Sequence, residues 1–542
     1  MSGMLSVLIV GAGPTGLTLA AELARHGIHA HIIDHREEPL TTSNALAIQS
    51  RTLDIWQDMG IVQQALSQGN LIEGIQLFST KHRLLTLKLN ILKTQYPFVL
   101  SLPQAETESL LTQLLHNKYH INIERGLTCI DLIEHADHID VICEKTDKSS
   151  TIFQCQWVIG CDGSHSTLRN LTHNEFIGKM LNQHFMMIDC EIDWELPNNM
   201  GSAFLANDGV MAVLPLKKHQ RMIVDITHQQ SLQEKLELTL GDFQEIMDKR
   251  CYFPARLFNS QWISRFTISE KQVEMYRKGR IFFAGDAAHI HSPIGGQGLN
   301  TGIQDAHNLA WKLAFVLHGK AHETLLDTYH SERYPIAKDV LHSTTQATQV
   351  MTTNSHFLRW VRNSFFSSLR TLPLLRRRAL EQLSEIKVHY TQGCLDSHYR
   401  QIKGFSVSAP KPGYRPINQP LKLSATNLSS LHQSIETSLF KLLIFTGKKP
   451  ERTVANIATI VDAIKARYST QIALFCISSI DNYDAPWAIR IIHDEKMKIH
   501  RYFSCCSGGV YLLRPDNVVA FRNHLIVSDP LFSLLETYFI ET

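Results

Sequence analysis

A mixed α/β architecture is predicted for this 542-residue chain from three observations. Residues 5–34 run from an apolar strand through a glycine loop and an amphipathic helix to a second strand. Residues 183–268 carry strand-like runs at 185–192, 209–216 and 222–226, joined by polar turns without helices between them, which predicts an inserted antiparallel sheet. Residues 409–542 return to strands and helices with a hairpin, which predicts a separate terminal domain. The expected division is 1–182 and 269–345 for the two parts of an α/β domain and 183–268 for the inserted α+β sheet. A helical segment and linker at 346–408 and the C-terminal domain at 409–542 follow, with 71–100 expected to join the sheet.

In chain order, Leu5 to Val10 is a compact apolar strand followed by Gly11, Gly13, Pro14, Thr15 and Gly16 and a helix to about Arg25. The three glycines serve a tight turn, close approach of a pyrophosphate and close helix–strand packing. Gly27 ends the helix, and the strand at 28–33 finishes at Asp34. That acid lies ~20 residues past the glycines, where a dinucleotide fold binds an adenosine ribose. A buried strand at 157–160 leads into Asp162-Gly163, which alone reads as a turn. A third strand, 281–284, breaks at Gly285-Asp286 before a loop with Pro293, Gly295, Gly296 and Gly298 and a long helix. Glycines let a flat ligand approach the main chain, and the first helical amides attract negative charge. Asp286 fits an acceptor for the hydroxyls of a sugar-like chain, or a plain turn and cap.

The order and length of these three motifs resemble the single-component (group A) FAD-dependent aromatic hydroxylases with the para-hydroxybenzoate hydroxylase-like fold. The Rossmann-like FAD-binding domain is the fold this implies. The resemblance covers most of residues 5–333 and extends to the helix at 44–60, where Arg51 and Thr52 match. Asn44 stands where the family commonly has an arginine that helps neutralise pyrophosphate, which leaves the phosphate clamp and the choice between NADPH and NADH open. Gln104, in Leu102-Pro103-Gln104, matches a glutamine that reaches the ribityl chain. By resemblance, FAD is held by Gly11, Gly13, Pro14, Thr15, Gly16, Asp34, Arg36, Asn44, Arg51, Gln104, Asp162, Gly285, Asp286, Pro293, Gly295, Gly296, Gly298, Leu299 and Asn300. Asp162, Arg169 and His289 are expected at the approach of a transient NADPH or NADH. Residues 409–542 resemble the thioredoxin-like domain of the phenol-hydroxylase branch: strand 441–446, helix 452–468, strand 471–478, a hairpin about Arg514-Pro515-Asp516-Asn517, and a closing helix at 530–539. Asn517 replaces the usual glycine, and asparagine tolerates the left-handed conformation. This domain has no CxxC, so it is expected to be structural, with a homodimer interface as one use.

Composition narrows the classes further. A net charge of +2 argues against nucleic acid recruited by bulk charge. No stretch is long and apolar enough to span a bilayer, and the N-terminal apolar run is needed as a strand, not as a signal peptide. Arg376-Arg377-Arg378 reads as solvated charge on a helix, in preference to a membrane-surface segment. Ten cysteines without CxxC or zinc spacing read as reduced thiols of a cytoplasmic protein, and without HExxH no metal site is expected. The resemblance implies NAD(P)H reduction of the flavin, capture of dioxygen as a flavin hydroperoxide, and hydroxylation of a small phenolic or polyketide-like aromatic. Epoxidation or Baeyer–Villiger insertion on the same fold is the alternative, and a non-catalytic flavin-binding sensor the more distant one. No catalytic side chain, ring position or oligomeric state is legible.

Overall fold

The computed structural model describes residues 4–41, 45–292, 295–353, 355–368, 372–390, 405–422, 428–480 and 489–541. They divide into two compact units: 1–21, 29–306 and 337–387 form one, and 22–28, 307–336 and 388–542 the other.

The first unit opens with β1 (Leu5–Val10), α1 (Pro14–Arg25) and β2 (His31–Asp34). Strand β2 starts three residues later than the sequence run, at His31. After α2 (Ser50–Met59) come β3 (Gly74–Ser79) and β4 (Arg83–Lys88), then α3 (Gln104–Tyr119). A hairpin of β5 (Leu127–Glu134) and β6 (Ile139–Lys145) leads into β7 (Ser150–Gly160). The next strands are β8 (Phe176–Asp193), β9 (Met200–Ala206), β10 (Gly209–Pro215) and β11 (Gln220–Asp225). Helix α4 (Leu240–Arg250) precedes β12 (Arg256–Val273) and β13 (Ile281–Phe283). Helices α5 (Gly298–Leu317) and α6 (Asp327–Met351), whose residues 307–317 and 327–336 count with the second unit, precede α7 (His356–Ser368) and α8 (Pro373–Leu383).

Strands β13, β7, β1 and β2 lie side by side and parallel, with Ile123–Arg125 beyond β2. Their apolar runs are buried on both faces, as parallel strands require. Every cofactor motif leaves this sheet at the carboxyl end of a strand: Gly11 after β1, Asp162 after β7, Gly285 after β13. Ligands of open α/β sheets collect at that edge.

The second sheet of this unit runs β12-β8-β11-β10-β9-β3-β4, antiparallel except where β9 meets β3, with His289–Ile290 added at the β12 edge. Thus two strands of 71–100 join it, whereas Asn70–Ile72 and Val99–Ser101 pair in a small separate sheet. Alternation along β8 sends Met186, Ile188 and Cys190 into a core with Phe243, Ile246 and Met247 of α4. Phe185 on the other face packs with Leu205, Val210, Ile268 and Leu380. Helix α4 was not read from sequence, although Thr239 and Asp242 form a capping box at its start.

The second unit carries β14 (Phe440–Phe445), α9 (Val454–Arg467), β15 (Ile472–Ser478) and β16 (Arg490–His493). It closes with β17 (Gly509–Leu513), β18 (Val519–Asn523) and α10 (Asp529–Tyr538). The sheet order is β16-β15-β14-β17-β18, parallel over the first three and antiparallel over the last two. Asn517 turns the final hairpin at φ 61°, the left-handed conformation expected of it. Beneath that turn, Arg514 bonds Glu332 at 2.6 and 3.0 Å, and Lys312 reaches Glu332 at 2.8 Å. All three side chains are buried. No described helix is long and apolar enough to cross a membrane.

Candidate functional site: a flavin cradle

The N-terminal loop is built by three glycines with three different surroundings. Gly11 has φ +109°, and a Cβ there would lie 2.3 Å from the carbonyl oxygen of Cys161. A Cβ on Gly16 would lie 1.9 Å from the oxygen of Gly11, so these two permit packing of α1 against the strands. Gly13 differs: a Cβ there would meet nothing within 4 Å. Its open face lies beside the first turn of α1, whose amides lack helical acceptors and attract anions. Thr15 packs its hydroxyl under Gly285 and Gly302, where Cβ atoms would approach to 2.5 and 2.3 Å. The first and third motifs are therefore in direct contact.

At the end of β2 the Asp34 carboxylate accepts from the amides of Ala12 (2.7 Å) and Arg36 (2.8 Å) and from the Arg36 guanidinium (3.0 and 3.1 Å). Burial works to raise its pKa, but the bonds from Arg36 and Ala12 outweigh it and hold the carboxyl below its usual range. Arg36 also lies 3.8 Å from Glu108, which accepts from Gln104 Nε2 at 2.9 Å. Gln104 thus belongs to the group around Asp34 and Arg36. Glu108 was not singled out from sequence; its signal is an acid one helical turn past Gln104 on α3. Burial pushes its carboxyl up.

Asp286 sits in a short 3₁₀ turn after β13. Its side chain is accessible, yet burial pushes its carboxyl up while His289 pulls the other way. Among the described residues this carboxylate makes no hydrogen bond. The turn is braced from behind by Asp305, which accepts from the Gly285 amide at 3.1 Å and from His289 Nε2 at 2.7 Å. His289 is buried in that pair, so its ring has no surface to present to a nicotinamide. Arg169 is likewise buried: its guanidinium donates to the carbonyls of Ala287 (3.2 Å) and Ser164 (2.8 Å) and stacks on Phe176. It ties the second motif to the third. Asp162 Oδ2 accepts from the Leu168 amide at 3.2 Å, whereas Oδ1 is buried without a partner, and burial raises this carboxyl.

Asn44 and Pro293 lie outside the described residues. After them, the Asn300 side chain donates to Ala47 O (2.8 Å) and Gly296 O (2.7 Å) and accepts from Gln49 N (2.8 Å) and Thr52 Oγ1 (2.7 Å). Every polar atom of that side chain is engaged, so Asn300 holds the glycine loop against the 45–52 segment. Gln49 adds a bond to the Gly295 carbonyl at 2.9 Å. Arg51, expected among the FAD contacts, is buried and donates to the Ile386 carbonyl at 2.9 Å. Gly298 and Leu299 are half-buried at the start of α5, where backbone amides are the groups on offer. His291 donates through Nδ1 to Ser292 O at 2.9 Å, and burial pushes its pKa down to about 4, so the ring is neutral.

A glycine cradle with open space at Gly13, an anchored acid at Asp34, an unbonded acid at Asp286 and a helix start at Gly298 fit a dinucleotide whose second half is a polyhydroxylated chain and a flat ring. These features define an FAD-binding protein. Residues 4–344 match the family described as FAD binding domain, and the chain belongs to that family. It is 30% identical over 527 residues to 6-methylpretetramide 4-monooxygenase of Streptomyces rimosus, covering 95% of this chain and 90% of that protein. Pentachlorophenol 4-monooxygenase of Sphingobium chlorophenolicum is 33% identical over 346 residues, 62% of this chain and 63% of that one. Among solved structures, the anhydrotetracycline hydroxylase OxyS of Streptomyces rimosus superposes with a TM-score of 0.75 at 26% identity, covering 98% of this chain and 99% of that one. The chain is an enzyme of the FAD-dependent aromatic monooxygenases.

Proposed function

We propose that this enzyme hydroxylates a phenolic, multi-ring aromatic of polyketide type, using NAD(P)H as a visiting reductant and dioxygen as co-substrate. The observation that carries the substrate class lies on the second sheet. Ala203, Ala212 and Ile223 stand in register across β9, β10 and β11 on the face opposite the α4 core. All three are half-exposed in the middle of a sheet whose strands are otherwise mostly buried. Two alanines beside one isoleucine leave an apolar shelf, which suits stacked or fused rings better than a single small phenol. The sheet is joined at its edge to His289–Ile290, immediately after the Asp286 turn, and this link brings the shelf's own sheet up to the cradle. The relatives named for tetracycline-type substrates support the same reading.

Bound FAD supplies oxygen activation and transfer of one oxygen atom; the protein positions, shields and polarises. In our reading residues 1–182 and 269–345 hold the cofactor, and 183–268 with β3 and β4 cover the substrate. The open face of Gly13 and the first amides of α1 take the pyrophosphate, and Asp34 with Arg36 takes the adenosine ribose. Asp286 accepts from the ribityl hydroxyls. The amides at the start of α5 stabilise negative charge on the reduced ring system, because they are oriented before the reaction and need no reorganisation. Asp162 faces the approach of the nicotinamide, and Arg169 positions its loop. The C-terminal domain is thioredoxin-like and structural, serving a homodimer. Nine described cysteines are free, which agrees with a cytoplasmic enzyme.

The shelf is tested by Ala212→Leu assayed with a four-ring phenol and with a single-ring phenol. The larger side chain is expected to raise KM for the four-ring compound at least tenfold and to leave single-ring turnover nearly unchanged. Equal effects on both, with FAD content intact, would remove the shelf from the substrate site.

A further inference from the structure

The β5–β6 hairpin carries a cluster that the flavin cradle does not use. The His135 amide donates to the carbonyl of His138 at 2.9 Å and closes a tight turn through Ala136 and Asp137. The two histidines therefore face each other at the mouth of the turn, with rings stacked at 4.3 Å and 11° between planes. Asp140 lies two residues past His138, and the two-residue period of a strand returns its side chain to the same face. His135 Nε2 is 3.2 Å from one Asp140 oxygen, and His138 Nε2 is 3.5 Å from the other. One ligating atom from each residue lies within 4.8 Å of the other two.

Two outer contacts fix these donors. Asp137 accepts from His138 Nδ1 at 2.8 Å, which puts the proton on Nδ1 and turns the Nε2 lone pair toward Asp140. Gln154, paired with Asp140 across β6 and β7, donates to Asp140 Oδ1 at 3.1 Å. A carboxylate that holds the remote N–H of a histidine is the common outer partner of a metal-bound imidazole. The local charge also suits a cation: two carboxylates stand against one guanidinium, Arg280, whose Nη2 reaches the Ala136 carbonyl at 3.5 Å.

We infer that His135, His138 and Asp140 form a binding site for one divalent transition-metal ion, of which zinc fits the donor set best. Two imidazole nitrogens and one carboxylate oxygen supply three ligands, and water takes the fourth tetrahedral position. The bound ion ties the turn to its own strand and stiffens the hairpin that continues through β7 to Gly160, where the Asp162 segment begins.

Equilibrium dialysis of the full-length, FAD-loaded protein against zinc chloride, followed by metal analysis, tests this. The native chain is expected to retain one zinc that the double variant His135→Ala, His138→Ala does not, with FAD content and circular dichroism unchanged. Asp137→Asn is expected to weaken zinc binding by ~10–100-fold. Should the double variant lose its fold, Asp140→Asn, which keeps side-chain shape, carries the same comparison. Equal zinc stoichiometry and affinity in the native chain and the variants, or no retained zinc in the native chain, would overturn the inference.

Discussion

Asp286 and Gly13 carry the sharpest consequences among single residues. Asp286→Ala removes a charged acceptor that makes no hydrogen bond among the described residues, so the fold is expected to persist while FAD affinity falls. A hydrogen bond to a charged acceptor contributes about 1.5–3 kcal/mol, or roughly tenfold to a hundredfold in dissociation constant. Fluorescence titration of the apoprotein with FAD measures this, and an unchanged affinity would reduce Asp286 to a turn residue. Gly13→Val fills space that no atom of the described residues occupies within 4 Å, so it is expected to fold and to bind no FAD. Gly16→Val meets the Gly11 carbonyl at 1.9 Å and is expected not to fold at all. Both glycines were legible in the sequence, and so were the separate roles of pyrophosphate approach and helix packing; the fold adds what lies opposite each Cα. Arg51 and Asn300 teach the same lesson. Their positions were legible, but only the fold shows that their side chains bond Ile386 and the 45–52 segment.

The glycine loop is an element held by side-chain bonds, and Asn300 is its main tie. Asn300→Ala is expected to leave the amides of Gln49 and the hydroxyl of Thr52 unpaired, costing about 1–3 kcal/mol of stability and loosening the loop. Thermal melts with and without FAD check this: the variant should recover less stability on FAD addition than the native chain. In the C-terminal element, Cys505 is buried with its thiol pushed well up by desolvation, and Cys506 is only half-buried. A thiol that stays protonated is a poor nucleophile, so Cys505→Ala with Cys506→Ser is expected to keep NAD(P)H turnover nearly intact. A large loss with full FAD content would assign this domain a redox role. Elements escaped sequence reading for different reasons. The first half of β8 is largely exposed, and its run Gly178 to Gln183, with Met180 and Leu181 adjacent, lacks the apolar alternation that marks a strand. It is held by pairing with β12, a contact remote in sequence. The β5–β6 hairpin was missed although Ile139, Val141 and Cys143 alternate along β6, and its histidine cluster shows no zinc spacing because a turn, not a helix, assembles it.

At the scale of the whole molecule, buried charge in one unit sets an expected pH dependence. The second unit is locked by the Lys312–Glu332–Arg514–Asp516 network. Burial works against the charge on Glu332, but Arg514 and Lys312 outweigh it and hold the carboxyl below the usual range; Asp516 is lowered further by Arg514. Carboxyls lowered on folding stabilise fully above their unfolded pKa, about 4, and lose that contribution as pH falls toward their folded values. Urea midpoints are therefore expected to drop between about pH 5 and pH 3, the more steeply the more the unit relies on this network. Lys312 adds to the same trend at high pH: burial pushes it down to about 8, so its unfavourable charging is relieved as pH rises from there toward its unfolded value. Arg514→Ala leaves two buried carboxylates short of a partner and is expected to cost about 3–5 kcal/mol, with the acid limb flattened. The first unit carries the cradle and the sheet, and the account turns on their joint use: a flavin enzyme that puts one atom of dioxygen into an aromatic ring. Turnover under heavy dioxygen with a multi-ring phenol, followed by mass analysis of the product, tests this most directly. The account expects slow NAD(P)H oxidation alone, strong stimulation by the phenol, and a hydroxylated product carrying one heavy oxygen. A stimulated reaction whose product carries no heavy oxygen would contradict it, and a labelled epoxide or lactone would reassign the chemistry.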